Sequence, residues 1–356
     1  MADELWLERL ARLRAGERRA LGQVCRALEE LREPGLVRAL YRTEAQSVPW
    51  VIGITGAPGV GKSSLVSALI EHFRAAGKRV GIVAVDPTSP FYGGALLGDR
   101  VRMQRHHADP DVFVHSVATH GAHGGLSLGT AELVMALGQW GASIVILETV
   151  GVGQAEFDVM SLADTTALVL APGLGDDLQA QKAGIMEVAD VYVVNKADLP
   201  GARRVVADVQ SLLSLSDATR VQHGHHAHSV HSEPAATGSS DRQEIWPPRV
   251  VECSATSGQG ISLLAQALNE HDVWLKTAPG RERLAARRKQ AAARRIEVQL
   301  LEHLRAQRGS ELAALAHAVS SAALDPHTAA LRLLGSDAQT EESAETAGST
   351  SNSNRP

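Results

Sequence analysis

The chain has 356 residues, 44% of them hydrophobic and 21% charged, which suffices for one sizeable core with appendages. A formal net charge of −5 argues against a dedicated nucleic-acid binder, two cysteines far apart in sequence exclude a disulfide framework and fit a reducing compartment, and no apolar run is long enough to span a bilayer. Aromatic residues make up only 3%, so the core is expected to be aliphatic and rich in alanine.

Residues 1–45 read as an N-terminal helical extension. Leu10, Leu13, Leu21, Val24, Leu28 and Leu31 recur at helical spacings among many charges, and Pro34-Gly35 interrupts the pattern. Asp3 and Glu4 stand where a leader would be basic and no apolar stretch follows, so a cytoplasmic location is expected. Residues 46–275 then alternate strand and helix, with strands expected near 50–55, 80–86, 112–117, 142–148, 165–171, 191–195 and 249–254. That alternation predicts an α/β fold with a mostly parallel sheet covered by helices.

The first strand, Trp50-Val51-Ile52-Gly53-Ile54, leads into Gly56-Ala57-Pro58-Gly59-Val60-Gly61-Lys62-Ser63, which fits GxxxxGK[ST] at every fixed position. A helix is expected to follow from Ser64 to Ala76. Backbone N–H groups of the glycine-rich turn and the helix N-terminus then converge on a polyphosphate. Lys62 is expected to reach the β- and γ-phosphates, with Ser63 on Mg²⁺.

The metal shell calls for carboxylates at further strand ends. Asp86 ends the second strand. Asp99 lies in a loop-to-helix stretch, Gly98 to Met103, where helix capping is the alternative role. Ile144-Val145-Ile146-Leu147 runs into Glu148-Thr149-Val150-Gly151, placing Glu148 as a water-mediated metal ligand and Gly151 near the γ-phosphate.

The motif that reads the base is Asn195-Lys196-Ala197-Asp198, after the buried-strand pattern Val191 to Val194. A carboxylate at Asp198 accepts two hydrogen bonds from guanine's ring N–H and exocyclic amine, a donor pair that adenine lacks. The stem of Lys196 covers a base and Asn195 braces the loop. Ser254-Ala255-Thr256, after the last strand, offers backbone N–H to the guanine oxygen. Between these motifs, residues 217–245 turn polar, with His223, His225, His226, His228 and His231. Two readings compete there, a solvated inserted loop and a Ni²⁺-, Zn²⁺- or Cu²⁺-binding cluster.

Residues 276–334 are expected to be helical, forming a C-terminal arm. Its arginine-rich stretch, Arg281 to Arg295, reads as a solvated or partner-facing helix, since no aromatics interleave to stack bases. Ile296, Leu300, Leu301 and Leu304 suit a packed or dimerising face. Residues 335–356 are rich in Ser, Thr, Glu and Asn and are expected to be disordered.

Taken in order, the phosphate loop, Asp86-Pro87-Thr88-Ser89-Pro90, Gly93 to Arg100 and Glu148 to Gln154 resemble the MeaB/ArgK family, the methylmalonyl-CoA mutase-associated GTPases of the SIMIBI class. The resemblance covers about residues 45–305, and Pro172 to Gln179 with Lys182 resembles that family's third switch loop. It implies a P-loop NTPase fold and a homodimeric G-protein chaperone that binds an adenosylcobalamin-dependent acyl-CoA mutase and uses GTP to gate cofactor loading and protect the mutase. Carried over by position, Ser63, Asp86, Asp99 and Glu148 form the Mg²⁺ environment. Lys62, Ser64 and the loop amides hold phosphate, Asn195, Lys196 and Asp198 read guanine, and Asp176 and Lys182 belong to the partner-responsive switch. No nucleic-acid or membrane partner is implied. Val152 occupies the position where Ras-type enzymes carry the water-orienting Gln, and Gln154 is a weak substitute, so slow intrinsic hydrolysis is expected. A nickel-delivering GTPase using the His-rich insert, a kinase or transport ATPase, and a nucleotide-binding module without turnover are the rival readings.

Overall fold

A computed structural model describes residues 2–30, 33–42, 48–86, 104–118, 129–149, 161–173, 189–223 and 245–335. The chain divides into two compact units, Met1–Ala292 and Ala293–Pro356.

The first unit is built on a parallel sheet of seven strands: β1 (Trp50–Thr55), β2 (Val80–Asp86), β3 (Val112–Ala118), β4 (Ile144–Thr149), β5 (Thr165–Leu170), β6 (Val191–Val194) and β7 (Arg249–Glu252). Their order across the sheet is β3-β2-β4-β1-β5-β6-β7, and every pairing is parallel. This is the P-loop NTPase α/β fold expected from the alternation of strand and helix. β4, β5 and β6 are buried along their whole length, which is why their sequences are unbroken apolar runs rather than alternating ones. Along β1, alternate side chains go to opposite faces: Ile52 and Ile54 to one core, Val51 to the other.

On the first face lie α4 (Lys62–Ala75) and α7 (Ile261–Leu275), which bury Leu65, Leu69 and Phe73 and Leu264 and Leu268 against Ile82 and Ile146. On the second face lie α5 (Thr130–Gln139) and the N-terminal helices α1 (Ala2–Arg14), α2 (Arg18–Glu30) and α3 (Pro34–Arg42). The leucines that suggested one interrupted helix over 1–45 therefore form three. Gly16, at φ 87°, turns the chain between the first two, and Pro34 opens the third, where a missing N–H costs nothing. Leu10, Leu13, Leu21, Val24 and Leu28 are all buried, so these helices are a layer of the fold. A smaller cluster joins Val209 of α6 (Ala202–His223) to Leu168, Leu170 and Tyr192. α6 runs through Asp217–His223, the start of the segment read as an insert; Gly224 is the first residue there that opposes a helix. Residues 224–244, with most of the histidines, lie outside the described residues.

The arginine-rich stretch begins α8 (Ala278–Ser320), and Arg281, Arg288, Lys289 and Arg294 are exposed, as its solvated reading expects. Three of its arginines nevertheless reach buried carboxylates. Arg283 and Arg287 donate to the carboxylate of Asp190 at 3.0–3.1 Å, and Arg288 donates to Asp164 at 2.8 Å. Asp190 and Asp164 immediately precede β6 and β5, and each also ties in the neighbouring strand: Asp190 accepts from the Thr166 N–H of β5 and Asp164 from the Val51 N–H of β1. Two buried carboxylates at the N-terminal edge of the sheet thus require cations, and the nearby helix supplies them.

In the second unit α8 continues to a non-helical residue, Arg308, whose guanidinium donates to the Leu333 carbonyl at 2.7 Å. α9 (Pro326–Leu334) is bounded by a capping Asp325 and by Gly335 in the left-handed region. No described helix is long and apolar enough to cross a membrane.

Candidate nucleotide site

Parallel strands place all their C-terminal ends on one edge, and those predicted site residues that the structure describes gather there. β1 pairs with β4 so that Ile54 lies opposite Glu148, which brings that carboxylate beside the start of the glycine-rich loop. The loop needs its glycines. Gly56 has φ 145°, and a Cβ there would sit 2.2 Å from the Val169 carbonyl oxygen on the neighbouring strand. Gly61 has φ 92°, and its Cβ would meet the Asn195 amide nitrogen at 2.5 Å.

α4 begins at Lys62, directly after Gly61 in the left-handed region, with no side-chain cap on its first N–H groups. Those donors and the positive end of the helix dipole face the loop. Lys62 is buried, and its ammonium donates to the carbonyls of Gly56 and Ala57. Ser63 is buried too, and its hydroxyl donates to Glu148 Oε1 at 2.6 Å. Pro58 and Gly59 are exposed at the tip of the loop, Val60 is buried, and Ser64 is exposed on the first turn of the helix.

Asn195 ties the two motifs together. Its amide nitrogen donates to the Val60 carbonyl at 2.8 Å, and its Oδ1 accepts from the Ala255 N–H at 3.1 Å. Lys196 takes a left-handed conformation, φ 57°, and reaches back to donate to the Gly59 carbonyl at 2.7 Å. Asp198 is exposed. A hydrogen bond from Ser254 holds its carboxyl below the usual carboxylate range, with the positive charge of Lys196 contributing less. Ser254 is buried and Thr256 exposed at the turn after β7. A buried acceptor amide, an ionised carboxylate and a lysine stem therefore converge at the loop edge.

Sequence reasoning missed three supports. The Ser254 hydroxyl acts on Asp198 through its side chain, not only through backbone N–H. The Cys253 thiol lies 3.8 Å from Asn195 Oδ1, and burial raises its pKa to about 12, so it packs as a neutral wall. The Val169 carbonyl sets the need for glycine at position 56. None is a motif residue; only the fold brings them close. Of the remaining expected site residues, Asp86 ends β2 with its side chain outside the described residues, and Asp99, Gly151, Asp176 and Lys182 lie outside them altogether.

Ser63 and Glu148 also meet the test for a divalent cation. A hydroxyl and a fully buried carboxylate, both hard oxygen donors, stand together beside a phosphate-type loop, as Mg²⁺ requires.

A protein of Pyrococcus abyssi provisionally named a GTPase is 39% identical over 302 residues, covering 84% of this chain and 83% of that one. The mouse mitochondrial protein named methylmalonic aciduria type A homolog is 34% identical over 232 residues, 64% of this chain and 50% of its own. Among solved structures, one titled LAO/AO transport system kinase superposes with a TM-score of 0.61 at 26% identity, covering 93% of this chain and 96% of that one. The family described as methylmalonyl Co-A mutase-associated GTPase MeaB matches residues 26–310. With that match on top of the loop, the sheet order and the strand-end Glu148, the chain belongs to the MeaB family of P-loop GTPases, and it binds guanine nucleotide and hydrolyses GTP.

Proposed function

We propose that this GTPase is a chaperone for an adenosylcobalamin-dependent acyl-CoA mutase of the methylmalonyl-CoA mutase type, gating cofactor loading and protecting the mutase. The family match over residues 26–310 carries this reading, and the mouse relative's name agrees with it. At the site, Lys62 exchanges its contacts with the Gly56 and Ala57 carbonyls for the β- and γ-phosphate oxygens of GTP. Ser63 and Glu148, with Asp86 and Asp99, hold Mg²⁺, which neutralises charge on the phosphates. Asp198 and the Thr256 backbone read guanine, while the Ser254 and Ala255 N–H groups, donated to the Gln259 carbonyl and to Asn195 Oδ1, shape that loop and Asn195 keeps it locked to the phosphate loop. Gly151 sits near the γ-phosphate, and Asp176 and Lys182 belong to the switch that responds to the partner, with Lys182 as a source of charge in the ordered state. Ile296, Leu300 and Leu301 on α8 form the face of a homodimer.

Two devices supply the switch. The braces from Asn195 and Lys196 to the loop hold the base and phosphate subsites in fixed relation, so binding is pre-organised. The position after Gly151 is Val152, which cannot orient water, so hydrolysis waits for a partner. Steady-state GTP hydrolysis, with ATP as control, measured with and without a purified adenosylcobalamin-dependent acyl-CoA mutase from the same source, tests this. Slow GTP-only turnover that rises at least tenfold with the mutase is expected; turnover unmoved by the mutase removes the partner assignment and leaves the GTPase.

A further inference from the structure

On the outer side of the N-terminal helices, a cleft of about 550 Å³ opens between α1, α2 and Glu33. Its lining includes three arginines, Arg9, Arg19 and Arg26, against one acidic residue, Glu33. The Glu33 carboxylate accepts from the Trp6 indole N–H at 3.2 Å, and Arg9 lies over the Trp6 ring at 4.6 Å, so this wall is set by the protein itself. Arg19 and Arg26 make no hydrogen bond and no salt bridge with any described residue.

The floor is equally specific. Arg19, Gly22 and Arg26 stand at i, i+3 and i+7, one stripe of α2. Gly22 sits mid-helix, where glycine costs roughly 0.5–1 kcal/mol relative to alanine. No neighbour demands it, since a Cβ there would meet nothing within 4 Å. The bare backbone deepens the cleft between two cationic ends whose attachment points are about 10 Å apart along the helix axis. Its volume lies within the range of small-molecule sites, and arginine forks match phosphate and carboxylate oxygens.

We infer that this cleft binds an elongated small-molecule dianion, with phosphate or carboxylate groups about 10 Å apart on a body that lies over Gly22 and Ala27. Arg19 and Arg26 take the two anionic ends, and Arg9, held on Trp6, adds charge at the rim. The overall charge of the protein is negative, so the cleft is a local attraction for anions rather than part of a general basic surface. The inference is independent of the mutase assignment.

The experiment uses the full chain with saturating GDP and Mg²⁺, so that the phosphate loop is closed to added anion. Isothermal titration calorimetry measures fructose 1,6-bisphosphate and, separately, decanedioate. Saturable binding of at least one probe, one per chain, with Kd below about 1 mM is expected. Arg19→Gln and Arg26→Gln each weaken it about tenfold or more, and Gly22→Leu abolishes it by filling the floor, while GTP turnover and the circular dichroism spectrum stay unchanged in all three. If Gly22→Leu fails to fold, the two arginine variants decide. Failure of both probes to saturate, or binding indifferent to Arg19 and Arg26, overturns the inference, and capture of an acidic peptide with both probes failing overturns it in favour of a protein partner.

Discussion

Ser63 and Glu148 form a tightly constrained pair: a 2.6 Å hydrogen bond between two buried side chains drawn from different elements. Ser63→Ala or Glu148→Gln removes a hard oxygen ligand or its charge. Either change is expected to lower GTP turnover about 10- to 100-fold and to raise the Mg²⁺ concentration needed for half-maximal rate. A turnover rate and Mg²⁺ dependence equal to the wild type count against the metal assignment. Asp198 makes a prediction about chemistry rather than strength. Its carboxyl is held ionised by Ser254, so its acceptor character persists into mildly acidic solution. Asp198→Asn places an N–H donor where guanine also donates. GTP affinity should fall about 10⁴-fold. Xanthosine triphosphate, with a carbonyl oxygen at that ring position, should become the preferred nucleotide; competition binding with both nucleotides and ATP checks it. The motif residues were legible in the sequence because fixed spacing carries their chemistry. The brace from Asn195 to Val60 was expected only as a general bracing role, since nothing in the spacing says which carbonyl lies 2.8 Å away.

Elements owe their positions to buried polar anchors as well as to apolar faces. The start of α8 is pinned to the sheet by Arg283, Arg287 and Arg288 on Asp190 and Asp164, and α7 contributes His271 to the same cluster. His271 is fully buried. Its Nδ1 shares a hydrogen bond with the Thr165 hydroxyl at 2.8 Å, its ring stacks on Trp274, and its Nε2 lies 3.4 Å from Asp190. Burial, reinforced by Arg287 and Arg283 and only partly opposed by Asp190, lowers its pKa to about 4. The unfolded chain takes up this proton below pH about 6.5, the folded chain only near 4, so stability attributable to His271 is present above 6.5 and is lost as pH falls from 6.5 toward 4. The loss is on the order of 3 kcal/mol. Urea midpoints measured across that window should fall more steeply for the wild type than for His271→Gln; parallel curves would sink the assignment. All seven strands were legible, most of them because buried parallel strands are unbroken apolar runs, while the half-exposed β7 carries only Val250 and Val251 between charged ends. The arginine stretch was legible as solvated, but its three ion pairs were not, because Asp190 and Asp164 are far away in sequence and look like ordinary turn residues there.

For the whole molecule, the division at Ala292 and Ala293 leaves a second unit with an apolar stripe on α8, where Ile296 is 69% and Leu300 53% exposed. The proposed homodimer would bury this stripe. Ile296→Asp with Leu300→Asp should convert a dimer to a monomer in sedimentation without changing the folded content; an unchanged sedimentation coefficient would remove the stripe from the interface. The N-terminal helices were legible as helices but not as a cover for the sheet, because amphipathic spacing gives a buried face without naming what it meets. By itself the sequence determined the α/β class, the strand series, the glycine-rich loop and the guanine-reading motif, all features written in local spacing and in runs of apolar residues. Only the tertiary structure decided that β1 lies between β4 and β5, that Ser63 meets Glu148, that Asn195 clamps the loop, and that buried aspartates recruit the arginine helix. Those pairings join residues far apart in the chain, and they form because buried polar groups must find partners once the sheet has closed.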